Sequence, residues 1–251
     1  MSEPEWDERD AEGVDGIVSR LPPYFCLCCM SCRNSGKSVL MVQLVKELIR
    51  LKKVDVVICM SETADDCDDW DFLNTPTSTA VTLFDEEKLS RIVEKQRADI
   101  YNWKHPPKDG KDKPPKPKHV LIVLDDCLSS TEAIKSKIVQ ATFTLGRHRL
   151  MSCILISQAV TKFPSPQMRQ NMDMCLWSRL NEQTLESLHQ STTNISKKDF
   201  IYISETLGGV DYNFMCLDLF NKSSRDPLDV LKVVRADPPK KKSKKKDKSR
   251  N

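Results

Sequence analysis

Ser31-Cys32-Arg33-Asn34-Ser35-Gly36-Lys37-Ser38 stands between an apolar run at residues 24–30 and a run of helical periodicity at residues 39–51. A buried strand, a tight loop and a helix in that order build a phosphate cradle. Successive backbone N–H groups curl around a β-phosphate, the Lys37 ammonium reaches the β and γ oxygens, and the Ser38 hydroxyl is placed to ligate Mg²⁺. The helix start adds its open N–H groups and positive dipole end. The usual form of this loop begins with glycine, and Ser31 takes that place. A residue with a Cβ is therefore expected to adopt a geometry that glycine accepts freely. ATP with Mg²⁺ is the ligand that these residue types predict.

The rest of the chain alternates in the same manner. Residues 54–59 read as a buried strand, 61–79 as a polar, acidic excursion, 80–84 as a short strand and 85–103 as an amphipathic helix. Residues 120–124 form an aliphatic run that delivers Asp125 and Asp126 at its end, where ligand sites of parallel sheets form. Asp125 is suited to hold Mg²⁺ and Asp126 to orient and deprotonate an attacking water, although adjacent acids after a strand also serve as helix caps. A helix at 131–146 leads to a strand at 153–156 that ends in Ser157 and Gln158. A side-chain amide there can bond both a phosphate oxygen and a water, or merely cap the next loop. Arg147 precedes that strand and Arg169 follows it. Either guanidinium can stabilise charge on a transferring phosphoryl group of a neighbouring copy, or serve solubility alone. A strand at 172–177, helices at 181–190 and 196–207, and strands at 212–219 and 228–234 close the pattern. Together they predict an α/β protein with the three-layer P-loop NTPase fold, a mostly parallel central sheet and an antiparallel C-terminal edge. His119 and His189 lack spacing partners and read as structural.

With 251 residues and 39% hydrophobic content, the chain can bury one sizeable core. It has no apolar run long enough to span a bilayer and no secretory leader, so a soluble intracellular protein is expected. Ten cysteines are present. Cys26, Cys28 and Cys29 sit on a strand whose side chains alternate, which disfavours zinc and leaves them as small buried hydrophobes. Cys32, in an electropositive loop, is the candidate reactive thiol. The net charge of +3 conceals opposite ends. Residues 3–15 carry seven carboxylates against Arg9, whereas residues 240–250 carry eight basic side chains against Asp247. Residues 1–19 and 237–251 are expected to be disordered tails flanking one ATPase domain at 20–236. The basic tail suits a nuclear-import signal, a phosphate-seeking arm or plain solvation. Five prolines and six lysines at 104–118 mark an exposed insertion, a solvated loop or a contact with an acidic polymer.

Taken together, the loop ending at Ser38, the pair Asp125-Asp126, Gly146-Arg147-His148 before the strand ending in Ser157-Gln158, and Arg169 with Asn171 beyond it resemble the genome-packaging ATPases of large double-stranded DNA viruses. These belong to the FtsK-HerA superfamily of P-loop ATPases. The likeness spans residues 20–236, and residues 211–236 are similar to that family's closing strands. It implies an ATP-hydrolysing motor that threads double-stranded DNA into a capsid during virion assembly. It implies a homo-oligomeric ring, pentamer or hexamer, with possible capsid or portal-type partners, acting in host cytoplasm or nucleus or carried in the virion. Residues 31–38 would bind ATP, Ser38 and Asp125 the metal; Asp126 would be the catalytic carboxylate, Gln158 the sensor, and Arg147 or Arg169 the trans-acting finger. Asp126 is one methylene shorter than the glutamate of many relatives outside the viral group. A cellular or plasmid-type translocase or helicase of the same superfamily, and a nucleotide-binding switch or scaffold, are the alternatives.

Overall fold

The structure, a computed structural model, describes residues 11–63, 68–81, 83–107, 114–127, 136–158, 165–219 and 224–238. Strands β1 (Cys26–Ser31), β2 (Val56–Ser61), β3 (Thr79–Val81), β4 (Val120–Asp125), β5 (Met151–Ser157), β6 (Met174–Ser178), β7 (Asn213–Asp218) and β8 (Leu231–Arg235) form one sheet. Their order is β3-β2-β4-β5-β1-β6-β7-β8. The first six strands are mutually parallel, and β7 and β8 close the edge antiparallel, as the sequence predicts. β5 lies between β1 and β4, hydrogen-bonded to both.

The central strands are buried except at Ser157, the tip of β5, which is why they read as unbroken apolar runs rather than alternating ones. Successive side chains of β1 serve opposite faces: Cys26, Cys28 and Met30 enter one core, Leu27 and Cys29 the other. Helices α1 (Val14–Arg20) and α2 (Lys37–Arg50) cover the second face, with Ile17, Leu40 and Leu44 pointing inward. Helices α3 (Glu86–Lys104), α4 (Lys137–Leu145), α6 (Glu182–Thr192) and α7 (Lys197–Gly208) cover the first. Leu89, Phe143, Leu188 and Phe200 seal that layer. Two short helices, α5 (Pro166–Gln170) and α8 (Pro227–Val230), complete the described residues. Helix starts follow their cap residues: Asp85, Ser136 and Asn181 each accept from a backbone N–H of the first turn.

Four local expectations need correction. Residues 12–19 are not part of an unstructured tail. Glu12 bridges to β8, with Glu12 N donating to Val233 O and Arg235 N to Glu12 O, and the α1 residues Ile17 and Val18 are buried on the sheet. Arg20 pairs with Glu12 and neutralises the acid that bridge brings inward. Within the acidic excursion, Asp68–Leu73 is a 3-10 turn that buries Trp70 and Leu73. The closing strand begins at Leu231, because Asp226 caps a helical turn that starts with Pro227. Finally, α3 runs through Lys104 into the segment read as insertion. Residues 108–113 of that segment, 131–135 of the expected helix, most of the acidic end and all of the basic run at 240–250 lie outside the described residues. The C-terminal segment is held where it leaves β8, since Gln43 of α2 donates to Asp237 O at 2.8 Å and accepts from Asp237 N at 3.1 Å. Among the described residues, no helix is long and apolar enough to cross a membrane.

Candidate functional site

Parallel strands place their C-terminal tips along one edge, and β1, β4 and β5 deliver the predicted residues there. Ser31 ends β1 in ordinary extended backbone, fully buried, and its Oγ donates to Ser178 O of β6 at 2.8 Å. The expected glycine-like strain at Ser31 is absent. The left-handed positions are Asn34 (φ 61°) and Gly36 (φ 88°) instead. Gly36 is constrained twice, because a Cβ there would also lie 2.8 Å from Cδ1 of Tyr212. Cys32 is half-buried and its thiol donates to Arg179 O at 2.7 Å. Arg33 and Asn34 are exposed at the tip. Ser35 Oγ is buried without a hydrogen-bond partner. Lys37 and Ser38 open α2, whose N-cap is Gly36 and carries no side-chain cap, so the amides of the first turn remain open to a ligand.

Asp125 is buried at the tip of β4. Its Oδ2 accepts from Trp70 Nε1 at 2.9 Å and from Ser61 Oγ at 3.1 Å. Burial pushes the carboxyl above the usual carboxylate range, and the Asp126 charge adds to that, while the Trp70 and Ser61 bonds and the Lys37 ammonium oppose it. The next residue turns sharply. Asp126 takes a left-handed backbone (φ 53°), anchors through its N–H to Ile156 O at 3.0 Å, and swings its carboxylate away from the core. There Oδ2 accepts from Gln158 Nε2 at 2.7 Å and faces Lys37 Nζ at 3.4 Å. Lys37 is 7% exposed, so its ammonium depends on these carboxylates for charge balance. The loop, the acid pair and the amide predicted from sequence therefore share one site.

Arg147 does not. Arg147 pairs with Asp173, a buried acid whose Oδ2 accepts from Cys26 N at 2.8 Å, at the start of β1. Burial raises the Asp173 carboxyl, against the pull of that N–H and of Arg147. Five residue steps of β1, roughly 17 Å at the usual rise, separate this pair from the loop. Arg147 therefore cannot meet a phosphate held by its own chain. Arg169 lies in α5, on the chain just before Asp173.

Ser61, Trp70, Arg179 and Tyr212 complete the site and have no motif of their own. Trp70 left one trace in the sequence, an aromatic residue within an acidic stretch. Arg179 (φ 51°) and Tyr212 (φ 63°) owe their positions to left-handed turns of non-glycine residues, which no sequence pattern announces. None of the nine described cysteines forms a disulfide, and of these nine only Cys32 is not buried. Burial pushes the Cys26, Cys127 and Cys216 thiols up to about 12, which leaves them unreactive. Among the described residues no cluster of three or more His, Cys, Asp or Glu gathers as a metal cage. His119 is held at the opposite edge of the sheet, Nδ1 to Lys53 O at 2.6 Å and Nε2 to Ser152 Oγ at 2.8 Å.

Comparison with known proteins agrees with this fold. The family model described as Poxvirus A32 protein matches residues 19–213. No curated protein sequence matches. Among solved structures, the genome-packaging NTPase B204 of Sulfolobus turreted icosahedral virus 2 in complex with ATP-gammaS superposes with a TM-score of 0.57 at 14% identity, covering 86% of this chain and 98% of that one. B204 from Sulfolobus turreted icosahedral virus, described as a DNA-packaging ATPase, gives 0.55 at 14% identity, covering 86% and 99%. The cytoplasmic domain of the type VII secretion ATPase EccC of Thermomonospora curvata gives 0.56 at 14% identity, covering 84% of this chain and 25% of that one. These likenesses bear out the P-loop NTPase fold.

Proposed function

This chain belongs to the Poxvirus A32 protein family, and we infer from that membership and from its phosphate-loop geometry that it is an ATP-hydrolysing motor packaging double-stranded DNA into a viral capsid. The observation that carries the reading is the convergence of Lys37 and Gln158 on one oxygen of Asp126 beside an uncapped helix start. An anionic ligand with three phosphates suits that edge. Loop amides and the first turn of α2 would receive the β-phosphate, Lys37 would move from Asp126 to the γ oxygens, and the unpartnered Ser35 hydroxyl would gain an acceptor.

Residues 31–38 are assigned to ATP. Asp126, freed from Lys37, would orient and deprotonate the attacking water, with Gln158 bridging that water and the γ-phosphate. Mg²⁺ would be held by Ser38 and Asp125, where it would neutralise charge on the β and γ oxygens. The donor set fits that ion: one hydroxyl and one carboxylate beside phosphate oxygens, without a dedicated protein cage. A divalent charge would also favour the ionised form of Asp125, whose carboxyl burial otherwise raises. Arg147, on the edge remote from its own loop, is assigned as the finger reaching a neighbouring copy, which requires a homo-oligomeric ring; Arg169 is the alternative. Support for packaging comes from B204, a viral DNA-packaging ATPase by description, which has the same fold over nearly its whole length. The capsid or portal contact belongs to the same proposal, as do the basic tail as a nuclear address or DNA grip and the boundaries of the ATPase domain.

The test is ATP turnover with and without linear duplex. Native protein should respond to DNA with a stimulation that fades as salt rises, whereas Lys37→Ala and Asp126→Asn should stay at background. Turnover indifferent to DNA, or equal in all three proteins, removes the motor reading.

A further inference from the structure

The proposed ATPase site has a defined γ end and, on its other flank, a wall that no motif accounts for. Asp126 and Gln158 stand at the tips of β4 and β5, on one side of β1 in the sheet. A triphosphate whose γ end faces them must lead its nucleoside out over the opposite side, above the tip of β6 and the start of β7. Two side chains are fixed there. Arg179 follows β6 directly and is tied to the loop, since its carbonyl accepts the Cys32 thiol. Its guanidinium pairs with Asp211 and donates to Gly209 O through Nε and an Nη, both at 3.4 Å, so the planar cation is held by the turn between α7 and β7. The Arg179 side chain nevertheless keeps 39% of its surface open. Tyr212, in the same turn, lays its ring against Gly36 and remains half-buried.

We propose that Arg179 and Tyr212 are the nucleoside-binding wall of this site, with the base stacked on the Arg179 guanidinium and the sugar passing along the Tyr212 ring. The inference rests on the ATPase reading above and adds to it the residues that recognise the part of the substrate beyond the phosphates. An immobilised guanidinium is suited to the role: it presents a flat cationic face to any π system, and its fork is already satisfied by Asp211 and Gly209. Stacking of this kind recognises a purine more by area than by hydrogen-bond pattern. ATP and GTP are thus expected to bind within a few-fold of each other and tighter than CTP or UTP.

Calorimetric binding of ATP, ADP and inorganic tripolyphosphate to the full chain separates the possibilities, because tripolyphosphate has the phosphates without base or sugar. Native protein should prefer ATP over tripolyphosphate. Arg179→Ala and Tyr212→Leu should each weaken ATP and ADP by about tenfold, as expected for one lost stacking contact, and leave tripolyphosphate within about twofold. Lys37→Ala should weaken all three. Arg179→Lys keeps the cation but loses the planar face, and it should show the same selective loss if the alanine variant fails to fold. Equal weakening of ATP and tripolyphosphate would make these residues props of the loop, and unchanged binding would make them bystanders; either result overturns the wall alone. Native protein that binds neither ATP nor tripolyphosphate overturns the ATPase reading and the wall together.

Discussion

The Trp70 indole N–H lies 2.9 Å from Asp125 Oδ2, so a residue from a 3-10 turn holds the buried acid of β4 from outside the strand. The bond works against burial, which raises that carboxyl, and thereby favours its charged form. Trp70→Phe keeps most of the bulk and removes the donor. The expected outcome is a loss of about 1–2 kcal/mol of stability in denaturant titration. The acid limb of the turnover profile should also move to higher pH, because an Asp125 with fewer donors protonates sooner. An unmoved acid limb in Trp70→Phe would separate the bond from the chemistry.

Ser31→Gly would restore the usual first residue of the loop and is nonetheless expected to weaken the protein. Ser31 is extended and its buried hydroxyl donates to Ser178 O, so glycine adds backbone freedom to the unfolded chain and leaves an acceptor unmet. A loss of roughly 1–2 kcal/mol should appear in unfolding experiments, with little change in nucleotide affinity. Higher stability in Ser31→Gly would refute this account of the serine.

Removing Arg147 leaves Asp173 buried without its cation. Because the guanidinium is 55% exposed, solvent screens part of the pair, and about 1–2 kcal/mol is the expected cost of Arg147→Ala. Arg147→Ala should bind ATP like native protein while losing DNA-stimulated turnover. Mixed with Lys37→Ala, it should regain some turnover, since each variant then supplies what the other lacks. Failure of the mixture to recover activity would remove Arg147 as a finger acting between copies.

His119 should make the fold sensitive to acid. Burial lowers its pKa from the ordinary value, against the Lys53 carbonyl and Asp55, so the folded state prefers neutral imidazole. The unfolded chain takes up its proton near pH 6.5 and the folded chain only below that. Stability is therefore retained above about pH 6.5 and falls as pH drops from there through the folded pKa. Melting temperatures across pH 7.5 to 5 should show that slope in native protein and a shallower one in His119→Gln. Equal slopes would mean that other groups carry the acid sensitivity.

Residues 31–38 and 120–126 were legible because strand, loop and helix each have a strong local signature there: continuous aliphatic runs, Gly36-Lys37-Ser38, and acids at a strand end. Gln158 was legible for the same reason. The helix at Val14–Arg20 was not, since two buried side chains in seven residues make no period and the surrounding acids dominate the composition. Trp70, Arg179 and Tyr212 were missed on different grounds. Their roles arise from contacts across 55, 147 and 176 residues of chain (Trp70 with Asp125, Arg179 with Cys32, Tyr212 with Gly36), and, for Arg179 and Tyr212, from turns that these residue types rarely adopt.

The strand that separates β1 from β4 sets a gauge. Since β5 is hydrogen-bonded to both, the backbone tips of β1 and β4, which lead into the phosphate loop and the paired acids, stand two interstrand spacings apart, roughly 10 Å, dictated by peptide geometry rather than by any side chain. Core substitutions that repack either face leave that width alone, and a catalytic edge assembled this way can drift far in sequence while its jaws stay the same distance apart.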